Sequence, residues 1–85
     1  MNLILAVFTS RTHTLLYSRL LKQIGITNSV VTTPRAILKA CGISVQFYYN
    51  NLSRASMIIN QYKLNSFKNF YLIDKKNNQV IYIPL

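Results

Sequence analysis

Leu3-Ile4-Leu5-Ala6-Val7-Phe8, followed at once by Thr9 and Ser10, decides the fold of this 85-residue chain. A short apolar run bounded by polar residues predicts a central strand with both faces covered. Ser10 then supplies a helix N-cap, since its side-chain oxygen accepts from a backbone N–H left free in the first turn. Leu16, Leu20 and Ile24 recur at fourfold spacing with Leu21 beside them, and Gly25 provides the stop, so residues 11–24 read as an amphipathic helix.

The same reading extends outward. Ser29-Val30-Val31-Thr32-Thr33 is β-branched and ends where Pro34 forces its predecessor to be extended, which predicts a second strand. Ile43, Val45 and Phe47 alternate with Ser44, Gln46 and Tyr48, a third strand with one buried and one wetter face. Asn50 or Asn51 is placed to cap a second helix carrying Leu52, Ala55, Ile58, Ile59 and Tyr62 on one side, and residues 70–73 form a fourth strand. Lys75-Lys76-Asn77-Asn78 offers a turn in which Asn tolerates positive φ, before a fifth strand over residues 80–83 closes a hairpin, with Pro84 suited to an edge. The order β-α-β-β-α-β predicts a ferredoxin-like α+β sandwich, two helices on one face of a mainly antiparallel sheet, with an extra C-terminal hairpin strand.

Length and composition bound what such a fold does. At 85 residues the chain is a single small α+β domain, residues 1–85. A chain of this size buries only about 60 to 65% of its unfolded surface, which leaves room for a homodimer. The apolar run at residues 3–8 is too short for a membrane span or a signal peptide, so the expected compartment is the cytoplasm. Ten Lys and Arg against one acidic residue, Asp74, give a formal charge of +9 and favour contact with something anionic. The cations are spread along the chain with no run longer than two, so the excess reads equally as a solvated surface.

Topology singles out one edge of the sheet. A right-handed β-α-β crossover makes the first two strands parallel, so their carboxyl ends lie together. Two loops meet there: Thr9-Ser10-Arg11-Thr12-His13 and the connector from Pro34 to Gly42, which holds Cys41, the one cysteine of the chain. A lone thiol forms no internal disulfide and reads either as a small packed residue or as a reactive group. The amino end of the first helix, with Arg11, Arg35 and Lys39, favours an anion or a thiolate. A short helix over residues 34–40 would oppose it, by setting its negative end at Cys41. Arg35 either binds an anion or bonds the carbonyls of its own loop, and His13 is either exposed or an acid or base for the thiol.

Other chemistries are disfavoured. With Asp74 the only carboxylate side chain, no paired-carboxylate mechanism is available within one chain. One His and one Cys do not make a closed metal site, and Gly25 and Gly42 do not form a phosphate-cradling loop, so neither metal nor nucleotide cofactor is expected.

Phe8, Ser10, Thr12, Lys22, Gly25-Ile26, Pro34-Arg35, Ile37 and Cys41-Gly42 together resemble the Putative Se/S carrier-like family of small bacterial proteins, without a gap from Val7 to Phe47. The spacing from Pro34-Arg35 to Cys41-Gly42 is the most specific part. Where that family commonly has Thr and two acidic residues, this chain has Arg11, His13 and Ser18. The resemblance implies a cytoplasmic protein whose Cys41 carries sulfur or selenium as a persulfide or selenosulfide between donor and acceptor proteins, a relay rather than a stand-alone enzyme. Two alternatives stay open from the residues themselves. One is a nucleic-acid-binding module that stacks bases on Tyr48, Tyr49, Tyr71 or Tyr82. The other is a homodimer joined through the sheet face left open by the helices, with no chemistry.

Overall fold

The computed structural model describes residues 2–37 and 39–85. The chain runs β1 (Leu3–Phe8), α1 (Arg11–Gln23), β2 (Asn28–Thr32), β3 (Ile43–Tyr48), a 3-10 turn (Tyr49–Asn51), α2 (Leu52–Gln61), β4 (Phe67–Lys76) and β5 (Gln79–Pro84). The strands form one sheet in the order β2-β3-β1-β4-β5, every neighbouring pair antiparallel. This is the ferredoxin-like α+β sandwich with an added strand.

β1 lies in the middle, and its uniform apolarity follows from that position. Ile4, Ala6 and Phe8 face the helices, packing with Tyr17, Leu20 and Leu21 of α1 and with Ala55 and Ile58 of α2. Leu5 and Val7 face the other way, into a second cluster with Ile37. Phe8 is fully enclosed, packed at a tilt against Tyr17 at 5.2 Å and edge-to-face against Phe67 at 5.5 Å between ring centres.

The local signals act as their chemistry requires. Ser10 caps α1, its hydroxyl accepting from the His13 N–H at 3.2 Å. Gly25 follows the helix at φ +82°, a conformation that costs glycine nothing. Asn77 and Asn78 both take positive φ, 50° and 64°, the requirement of a type I′ two-residue turn. That turn carries pairing out to Lys76 opposite Gln79, so β4 is longer than the 70–73 core of its sequence pattern.

Two stripes differ from expectation. The buried side of α1 is Thr14, Tyr17, Ser18, Leu20 and Leu21, with Ile24 past the last turn and 38% exposed. The polar members are tolerated because each has a partner. Tyr17 Oη donates to the Ala55 carbonyl at 2.8 Å, and Ser18 Oγ donates to Asn28 Oδ1 at 2.5 Å. Burial pushes the Tyr17 phenol well above its ordinary pKa, so it stays neutral. In α2, Tyr62 lies beyond the final turn and is exposed, while Asn51 sits at the N-cap position without a side-chain capping bond. Among the described residues, no helix is long and apolar enough to cross a membrane.

Candidate functional site

Both β1 and β2 run antiparallel to β3, so they are parallel to each other and end at the same edge. The loops after them meet there, as the crossover requires. The Cys41 N–H donates to the Phe8 carbonyl, the last residue of β1, at 2.8 Å. Two residues further on, Ser10 opens α1.

Cys41 is also held from the β2 side. The Thr33 N–H donates to the Gly42 carbonyl at 3.0 Å, and Thr33 Oγ1 donates to the Cys41 carbonyl at 2.7 Å. Thr33 Oγ1 also lies 2.6 Å from Ser44 Oγ. A hydroxyl has one proton to give, and that of Thr33 goes to Cys41, so Ser44 is the donor in this second bond. Ser44 is fully buried, which makes the chain Ser44 to Thr33 to Cys41 a closed set with no polar atom left over. Ser44 belongs to the face predicted to be wetter, and it is covered because the connector folds back over that face.

The connector folds back through Ile37. The Ile37 N–H donates to the Pro34 carbonyl at 3.0 Å, closing a turn. Ile37, only 8% exposed, packs on Leu5 and Val7, with Ala40 and Val31 against the same cluster. The described residues of the connector form a turn and bends instead of the short helix considered over residues 34–40; Leu38 lies outside the described residues. Lys39 at φ +58° is incompatible with a right-handed helix continuing toward Cys41. The opposing dipole at the cysteine is therefore absent among the described residues.

The other candidates divide into two groups around the end of β1. Cys41 is half-buried, as is Pro34, while Gly42, Arg35 and Lys39 are exposed. Arg11 and Thr12 are exposed in the first turn of α1, where a helix leaves N–H groups unpaired. His13 turns to the far side: its Nδ1 lies 2.6 Å from Ser66 Oγ, just before β4. The Ser66 carbonyl in turn accepts the Thr9 N–H at 2.9 Å. Cys41 thus joins β1 on its β3 flank and His13 is tied to its β4 flank. Thr33, Ser44 and Ser66 complete the site and were not among the predicted residues. Thr33 had one legible signal, a hydroxyl on the extended residue before Pro34; the other two depend on distant chain segments.

Residues 3–71 match the family described as Putative Se/S carrier protein-like. The chain belongs to that family. The matched segment runs from β1 into β4 and includes the whole Cys41 connector, leaving the end of β4 and all of β5 outside it. A comparison with curated proteins finds no match. In this Se/S carrier-like protein Ser18 serves the core, since Asn28 Nδ2 also donates to the Ser18 carbonyl at 3.1 Å and to that of Ile26 at 3.0 Å. Arg11 and His13 are different: they stand at the mouth of α1, beside the edge that holds Cys41.

Proposed function

We propose that this protein carries sulfane sulfur or selenium on Cys41, passing it from a donor protein to an acceptor as a relay without independent turnover. The observation that carries the reading is the placement of the chain's one cysteine, inside the family match, at a sheet edge where its peptide N–H and carbonyl are both bonded. A carrier atom has to be presented to two partners in turn, and a fixed backbone with a half-buried side chain supplies a reproducible position that macromolecules reach.

The transfer balances without an added oxidant. The Cys41 thiolate attacks the outer sulfur of a donor persulfide, forming an S–S bond as the donor's own S–S bond breaks. The donor leaves as a thiolate with the bonding pair, and the outer sulfur keeps its proton. An acceptor thiolate then repeats the exchange on the outer atom and frees Cys41. Selenium in the outer position follows the same course. Arg35, Lys39 and Arg11 would steady the anionic partners, and the start of α1 adds the positive end of its dipole.

Intact-mass spectrometry after incubation with a persulfide donor tests this. The expected product gains one sulfur atom, loses it to dithiothreitol, and does not form in Cys41→Ser. An unchanged mass at saturating donor would overturn the proposal.

A further inference from the structure

The helix-free face of the sheet presents a tyrosine surface that the carrier reading does not use. Tyr48, Leu3, Ile73 and Tyr82 lie side by side across four strands, and Gln46, Leu5, Tyr71 and Pro84 form the adjacent row. Leu5 belongs to the cluster away from the helices, so both rows are on the open side. Tyr48 is 42% exposed, and Tyr71 and Tyr82 are half-buried, their rings resting on the apolar cluster.

Charge says what suits this face. The chain carries +9 with Asp74 as its one acidic side chain. Asp74 alternates with Ile73 and Lys75 along β4, so it points to the helix side, and its carboxylate lies 3.5 Å from Lys76 Nζ. The tyrosine face therefore has no carboxylate side chain. Lys75 extends it at one end, and the connector bearing exposed Arg35 and Lys39 folds over the other. Aromatic rings on an open antiparallel sheet, bordered by cations and free of acids, are complementary to unpaired bases joined by phosphates.

We infer that this face binds single-stranded nucleic acid, with Tyr48 and Tyr82 as stacking platforms and Lys75, Arg35 and Lys39 engaging phosphates. The activity is independent of the thiol and survives Cys41→Ser. A duplex binds less well because its bases are already stacked on one another.

Fluorescence anisotropy with short labelled oligouridylate and oligothymidylate strands, and with a duplex of equal length, tests it. Binding to the single strands should weaken steeply as salt rises, through release of counterions. Tyr48→Leu and Tyr82→Leu should each weaken it about five- to tenfold, the loss of one stacked base, while Tyr48→Phe and Tyr82→Phe retain it. Thermal unfolding of the four variants separates lost stacking from lost fold. Three results would overturn the inference: no single-strand binding at low salt, binding indifferent to both Leu substitutions, or light scattering that shows a dimer dissociated by Tyr82→Leu, which would make a second copy the occupant of the face.

Discussion

The two hairpin connections at opposite ends of the sheet are built on different physics. Between β4 and β5 the chain reverses in two residues, and the positive φ of Asn77 and Asn78 is sufficient to do it. Between β2 and β3 the reversal takes residues 33–42, held by Ile37 on the sheet, by Thr33, and by Cys41 on the end of β1. The tight turn is a local property that its own residues specify. The long connector is a property of the assembled domain, and the family match contains it while leaving the tight turn outside. Geometry that a site requires is found where distant segments fix the backbone together.

That contrast predicts unequal responses to substitution. Ile37→Ala removes the side chain that anchors the connector and should destabilise the fold by about 2 to 3 kcal/mol, with faster alkylation of Cys41 as the loop loosens. Chemical denaturation and iodoacetamide kinetics measure the two effects. If stability fell by only a few tenths, the connector would be as local as the turn. Thr33→Val keeps the shape but strips the Cys41 carbonyl and the Ser44 hydroxyl of their partner, at about 1 to 2 kcal/mol. Thr33→Ser should restore most of it, and chemical denaturation of the two variants side by side measures the difference. The smallest effect belongs to the turn, where Asn78→Gly should raise stability by about 0.5 kcal/mol, because glycine adopts positive φ more freely than asparagine. A destabilising result there would mean that the Asn78 side chain has a role beyond the turn.

The same division explains what could be read from the residues alone. β1, the Ser10 cap, the Gly25 stop and the Asn77-Asn78 turn were legible because each depends on neighbours in sequence. The meeting of Cys41 with the end of β1 was legible as well, since crossover handedness is nearly invariant. The buried side of α1 was not, because Thr14, Tyr17 and Ser18 look polar until their acceptors at the Ser10 cap, on α2 and on β2 are in place. Ser44 looked solvent-facing for the same reason, as alternation along a strand carries no information about a loop that covers it. His13 could be placed at the helix start, but not its turn toward Ser66, which lies 53 positions away in sequence.

Among the described residues, the hydrogen bonds that fasten residues 41 and 42 use peptide groups: the Cys41 N–H, the Cys41 carbonyl and the Gly42 carbonyl. Those bonds ask nothing of the sulfur. Serine, alanine or selenocysteine at position 41 would be held by the same three bonds to the peptide groups of residues 41 and 42, so this anchoring leaves the identity of the side chain open to selection by its chemistry.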